Sequence, residues 1–291
     1  LVPGADLTVQ ASLSYSPDRA PLTASDRDNS LFAEGSGGAT ALIKNLRHLQ
    51  NLSAAFSGVK GKTGAEQASD ILCRTNETYP DYEFQPIQND ALRTYNGGGR
   101  ELQELYIPRS DGPAGLFAGL SGTPDAPWSL TEVRLVNAQV AGGTDPAGAL
   151  AGELGGCGSI TGCRVWWEDE GQPNLRGRLG SDEAGYQFMV TGGQAGGLIG
   201  SIREGAVTIQ SSFVATTLSG TECAGGLIGA MSGRVEIIGS YADCYLTGPA
   251  AAGLIGSADL VTLTDCYASG FIVGDQVQKA GGLCLGDGKV E

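Results

Sequence analysis

Few residues of this 291-residue chain could carry out chemistry. His48 is the only histidine, so a Ser-His-Asp or Cys-His centre would have to be built on it. It sits beside a helical apolar stripe, where a partly exposed side chain is expected instead of a catalytic one. A single histidine leaves no zinc-hydrolase motif, and Cys157 and Cys163 without a partner pair are a weak metal signal. Seven cysteines (73, 157, 163, 223, 244, 266 and 284) are an odd number in a chain that is not cysteine-dense. That points to buried, reduced thiols acting as small hydrophobes and away from a disulfide framework. No metal site and no cofactor is expected.

Carboxylates are the remaining candidates for catalysis. Glycoside cleavage needs two of them converging on one bond, and a lyase needs a calcium-holding cluster with a basic residue. Glu168, Asp169 and Glu170 form one run, Asp182 and Glu183 another, and Asp243, Asp259 and Asp265 are scattered. Asp243 falls in a column with Ser269, not with Asp265, so no stacked acidic cluster is expected. Arg203 and Arg234 fall near bends and are expected to be solvated. Binding residues are sought instead in an irregular insertion over about 163–194, which holds Trp166, Trp167 and Tyr186. Exposed aromatic rings there could stack on sugar rings; the other reading packs the tryptophans against the flank of the fold.

Charge narrows the partners. Lys and Arg number 18 against 32 Asp and Glu, a net charge of −14, which opposes binding to nucleic acid or to an anionic membrane. No run of 18 apolar residues exists, so no membrane insertion is expected. The chain opens Leu1-Val2-Pro3-Gly4 without a visible signal peptide, as a mature or trimmed form would. Hydrophobic residues at 41% suffice for a core, and 47 glycines spread along the chain argue against a helical fold.

The elements that would position these residues are announced by a repeat. Ala195-Gly196-Gly197-Leu198-Ile199-Gly200 recurs from Ala224 to Gly229, from Ala251 to Gly256, and in weaker form from Ala280 to Cys284, with starts 29, 27 and 29 residues apart. Looser copies begin at Ala114 and Ala147. Gly197-Leu198, Gly226-Leu227, Gly253-Leu254 and Gly282-Leu283 thus form structural columns. Between them Val207, Val235 and Val261 align, as do Ile209, Ile237 and Leu263; Ser212, Ser240 and Cys266; Phe213, Tyr241 and Tyr267; and Leu218, Leu246 and Ile272. Intervening polar residues give the period-2 alternation of half-buried strands. A unit this short cannot bury its own apolar side against the entropy of ordering it, so units must stack. The expected fold is all-β, a right-handed parallel β-helix. The Phe213, Tyr241, Tyr267 column is expected as a ladder packed between coils, with an outward strip for a partner as the alternative.

These residues resemble the GLUG-motif repeats of bacterial surface proteins. The Gly-Gly-Leu-Ile-Gly segments carry the likeness, with Asp243-Cys244-Tyr245 and the segment from Asp265 to Gly270. Upstream, His48-Leu49-Gln50-Asn51-Leu52, Ser69-Asp70-Ile71, Phe84-Gln85-Pro86-Ile87 and the stretch from Tyr95 to Leu105 are similar to the family's opening helix, strands and glycine turn. The resemblance spans roughly 39–291 and implies an extracellular repeat module, presumed adhesive, with no catalytic residues to carry over.

Three regions are therefore expected: an N-terminal extension with short strands (1–38), a capping helix and first coils (39–110), and the repeats proper (111–291). Leu42, Leu46, Leu49, Ser53 and Phe56 share one helical face, with Gly58 as its stop, and this helix would cover the open edge of the first coil. The chain stops within or just after a coil, so a longer native protein is expected, with this part monomeric within it. The functional expectation is a non-catalytic, secreted or cell-wall-attached adhesin-like module binding a host or neighbour glycan or a surface protein. The alternatives are a polysaccharide-acting enzyme and a pure spacer.

Overall fold

The structure, a computed structural model, describes residues 32–33, 38–53, 62–73, 83–108, 110–169, 172–173, 189–274 and 276–286. Alternating apolar and polar residues make short strands with one buried edge, and each strand pairs in parallel with its equivalents one coil away. The outcome is three parallel sheets of eight, thirteen and six strands, with a small antiparallel pair, Glu168–Asp169 and Gln172–Pro173, outside them. One full turn runs Ile199–Arg203 in the six-stranded sheet, Ala206–Gln210 in the eight-stranded sheet and Phe213–Gly225 in the thirteen-stranded sheet. The next turn repeats this order with Ile228–Met231, Arg234–Ile238, then Tyr241–Thr247 and Ala250–Ala252. The fold is a three-sided parallel β-helix. The eight-stranded sheet follows chain order from Thr40–Ile43 to Leu260–Thr264, and at about 4.8 Å per strand the stack is roughly 35 Å tall.

The aligned columns are physical columns. Val207 pairs with Val235 and Val235 with Val261, while Ala114, Ala147, Ala195, Ala224, Ala251 and Ala280 form one continuous line. Leu198, Leu227 and Leu254 lie fully buried above one another, joined by the amide of each to the carbonyl of the next at 3.0 and 2.8 Å. The glycine before each leucine is required by close approach: a Cβ on Gly197 would strike the carbonyl oxygen of Gly226 and the side chain of Val214, and one on Gly226 the carbonyl of Gly253. Only the last, Gly282, has open space, and Leu283 beside it is partly bare because no further coil covers it among the described residues.

A second column makes the corner between the eight- and thirteen-stranded sheets. Glu132, Gly162, Ser211, Gly239 and Asp265 all adopt left-handed φ between 50° and 67° and turn five successive coils the same way. The residue after each points inward or packs against the core; it is Val133 in the first of these coils, and in the next four the chain uses Cys163, Ser212, Ser240 and Cys266. Ser240 Oγ accepts the Ser212 amide (3.1 Å) and donates to the Ile238 carbonyl (3.0 Å). Ser212 Oγ likewise accepts the Cys163 amide (3.2 Å) and donates to Gln210 (3.0 Å). Cys163 and Cys266 donate their thiols to Thr161 and Thr264 in the same way. Buried corner amides that the ladder cannot reach are thereby satisfied.

The start of the stack departs from expectation. Residues 40–43 are a strand, not helix: Thr40–Ile43 pairs in register with Gly64–Gln67 and buries Ala41 and Ile43. Among the described residues the α-helix spans Leu46–Gln50, capped at its start by Asn45, whose side chain accepts the His48 amide at 2.9 Å. Leu42 and Leu46 matched a helical spacing by coincidence, and strand pairing overrode it. Phe56 and Gly58 lie outside the described residues. The helix still closes the apolar end. Leu46, Leu49 and Leu52 join the core, and the Gln50 amide exchanges two hydrogen bonds with the backbone of Gln85 (2.9 and 3.2 Å). His48 is fully buried, not partly exposed, because so short a helix is packed on both flanks; its Nδ1 accepts the Lys44 amide. The N-terminal extension falls almost wholly outside the described residues.

Candidate functional site

The strands of the thirteen-stranded sheet send alternate side chains inward and outward. Val165, Val214, Ala242 and Ala268 point into the core or pack against it, so Phe213, Tyr241 and Tyr267 point out. The rings line up along the rod axis: Phe213 and Tyr241 centroids lie 4.4 Å apart with planes tilted by 38°, and Tyr241 and Tyr267 lie 4.6 Å apart, stacked at 9°. The column is thus the ladder expected between coils and, at the same time, the outward strip of the alternative reading. Four residues along, Thr217, Tyr245 and Phe271 form a parallel column, with Tyr245 and Phe271 centroids 6.5 Å apart. Tyr267 is 54% and Phe271 57% exposed.

Between the two aromatic columns runs a third: Trp166, Ala215, Asp243 and Ser269. Asp243 therefore has Tyr241 and Tyr245 on its own strand and Tyr267 and Phe271 on the next. Its carboxylate is close enough to act on the neighbouring phenol. Tyr267 is raised above its ordinary pKa, first by desolvation, then by Tyr241 and Asp243, with the hydrogen bond between the two phenols contributing. Tyr245 is buried, but the exposed rings of Tyr267 and Phe271 beside one acceptor carboxylate can hold a molecule with an apolar face and hydroxyl edges.

Of the residues singled out in the sequence, Trp166 reaches this face. It lies on the regular strand Arg164–Trp166 and not in an irregular loop, and its indole N–H donates to Glu168 at 2.7 Å. Glu168 in turn is fixed by Asn137, which bonds Glu104. Trp167 is half-buried where the chain leaves the sheet, its amide on the Ala215 carbonyl. Tyr186 lies outside the described residues, as do Asp182, Glu183 and Glu170. Of the expected insertion, residues 163–166 belong to the regular coil and Val190–Gly196 re-enters it. Sequence reasoning passed over Asp243 as a binding residue and over Tyr245 and Phe271; the in-register spacing to Tyr241 and Tyr267 was the available signal.

Other reactive groups are withdrawn. All seven cysteines are free thiols. Burial pushes Cys73, Cys163, Cys223 and Cys244 up to about 12, which leaves them protonated and weakly nucleophilic. Asp243 pairs with Ser269 as expected, and no group of three or more His, Cys, Asp or Glu able to hold a metal occurs among the described residues. No helix among them is long and apolar enough to cross a membrane.

Fold and face together define a parallel β-rich repeat protein with an outward aromatic surface. No protein-family model matches the chain. It is similar to halomucin of Haloquadratum walsbyi, 29% identical over 275 residues, a match that spans 79% of this chain but only 3% of halomucin. It is also similar to the crystal structure of a protein from Bacteroides ovatus provisionally named as an immunoglobulin A1 protease. That match covers 93% of this chain and 90% of the other, with a TM-score of 0.56 and 16% identity, and it speaks to the fold alone.

Proposed function

We propose that the chain is a non-catalytic, adhesin-like module of a secreted or cell-wall-attached protein, and that it binds a glycan through its aromatic face. The observation that carries this is the stacked column Phe213–Tyr241–Tyr267 beside Asp243. Stacked rings stiffened by the sheet lose little entropy when a flat ligand settles on them. A carboxylate among them accepts hydroxyl hydrogens at the ligand edge. The net charge of −14 opposes a nucleic acid, whose bases would otherwise suit such rings. The resemblance to GLUG-motif repeats supports adhesion.

The test is a glycan array read alongside product analysis. Binding that disappears in Tyr267→Ala and Asp243→Ala, with the bound glycans chemically unchanged, is the expected result. Release of unsaturated or reducing ends would replace this reading with an enzyme. A blank array would favour a spacer.

A further inference from the structure

The outer face of the six-stranded sheet carries a different surface. One outward row of that sheet reads Gln88, Gly119, Glu153, Ser201, Ala230, Ser257 in register, and the next reads Ser121, Gly155, Arg203. Small residues on either side of Glu153 leave a trench of about 760 Å³. It crosses five coils, from Gln88 to Ser232, about 19 Å along the axis. On its floor Glu153 and Arg203 form an ion pair, Oε2 to Nε at 2.5 Å, with the carboxylate oxygen sealed from water. Arg203 was expected to be solvated at a bend; it ends the strand Ile199–Arg203 and is tied through one nitrogen, while 72% of its side chain remains exposed.

We infer that this trench is a second binding site, for a neutral oligosaccharide lying along the rod axis. Four features of the trench select that ligand. Donors and acceptors are mixed along it, with the Arg203 fork, Ser121 and Gln88 beside Glu153, Asp90 and Glu204, as a polyhydroxylated chain requires. Three carboxylates against one guanidinium repel polyanions such as uronate polymers or phosphorylated chains. Gly119, Gly155 and Gly156 put no side chains into the trench beside the ion pair. The surface is a sheet face whose backbone bonds are already used, so an extended peptide finds no edge to pair with. The aromatic face lies on another sheet, so each surface can be altered without the other.

Gly155 provides a clean block. A Cβ there meets only Ser121 Oγ at 3.6 Å and the Arg203 carbonyl at 3.8 Å, and its φ is not left-handed. Gly155→Ala therefore fits, while Gly155→Phe fills the trench. The experiment titrates the whole 291-residue chain with neutral hexasaccharides of glucose, mannose, galactose and N-acetylglucosamine, and with oligogalacturonate as the anionic comparator. At least one neutral hexasaccharide binds, and its affinity falls about tenfold or more in both Gly155→Phe and Arg203→Gln. It is unchanged in Gly155→Ala and in Tyr267→Ala. Arg203→Gln keeps the test readable if the phenylalanine variant fails to fold. Failure of all four neutral probes, preference for oligogalacturonate, or binding that survives both trench variants would overturn the inference. Loss in Tyr267→Ala with retention in the trench variants would move the ligand to the aromatic face and likewise overturn it.

Discussion

Leu198, Leu227 and Leu254 repeat at nearly the same interval as Phe213, Tyr241 and Tyr267, yet the two columns live in opposite solvents. The leucines are fully buried, and each is fixed by a glycine that cannot take a side chain. The aromatic rings stand outside and stack only on each other, so the last of them is more than half exposed. Period alone says that equivalent residues stack; it does not say on which side of the wall. The side is set by parity, because a strand turns alternate residues over. Val214, Ala242 and Ala268 take the interior, and their neighbours are thereby sent out.

The largest expected effect is alkaline and acts only on the interior. Burial raises Cys73, Cys163, Cys223 and Cys244 from 9.0 to about 12, and Tyr95 is raised still further by the same cause. Below about pH 9 these thiols are neutral in both the folded and unfolded chains. Above it the unfolded chain deprotonates first, so the folded state holds more protons and stability falls with rising pH. Urea midpoints should therefore drop steadily between about pH 9 and about pH 12; a flat profile would mean that the interior is wet. Next comes a direct contrast between the columns. Leu227→Ala should cost about 2–5 kcal/mol in urea unfolding because the stacked coils cannot collapse into the space. Tyr241→Ala, which removes ring stacking at a wetter surface, should cost about 0.5–1.5 kcal/mol. Equal losses would dissolve the distinction between the two columns.

The contrast also explains what could be read from the sequence. Stacking in register places equivalent residues in equivalent surroundings, so inward columns keep similar types, and Val207–Val235–Val261 was legible for that reason. The Ser212–Ser240–Cys266 alignment was equally visible, but its role was not. Only the structure shows one side chain taking the amide of the coil before it and returning a hydrogen to its own. The first strand was misread because Leu42, Leu46 and Leu49 fit a helix, while Ala41 and Ile43 were already buried as a strand. The trench was missed for the opposite reason. Its row Gly119, Glu153, Ser201, Ala230 varies in type, and a site made from differences between coils leaves no repeat to find. One large acidic residue among small ones was the only trace. Among the proposed binding residues, Trp166 was found for its type and not for its place, since it was assigned to a loop and stands on a strand.

A finer test concerns the inward connectors. Ser240→Ala strips the Ser212 amide of its acceptor inside the wall and should cost about 1–3 kcal/mol by thermal or urea unfolding. Cys163→Ser should be much milder at neutral pH, because serine already fills this role one coil on, at Ser212. It should also reduce the alkaline loss, as one of the raised thiols is gone. If Ser240→Ala is neutral, corner amides find other partners, and the Ser/Cys column is packing alone.

The smallest effect expected here is a gain, and it isolates the corner from both columns. Ser211 holds a left-handed φ of 51°, where a side chain crowds its own backbone, while Gly162 and Gly239 make the same turn in the coils on either side without a Cβ. Its amide continues the ladder to the Ile238 carbonyl at 3.0 Å, and glycine would keep that bond. Ser211→Gly removes about 1–2 kcal/mol of backbone crowding. It also adds freedom to the unfolded chain, which offsets about 0.5–1 kcal/mol of that relief. The net expectation is a stabilisation of about 0.5–1 kcal/mol, visible as a higher urea midpoint at unchanged slope. Ser212 is untouched by the change, so its hydrogen bonds to Gln210 and Cys163 persist. A loss of stability instead would show that the Ser211 side chain contributes to the corner in its own right, and that the turn is made by side chain and backbone together.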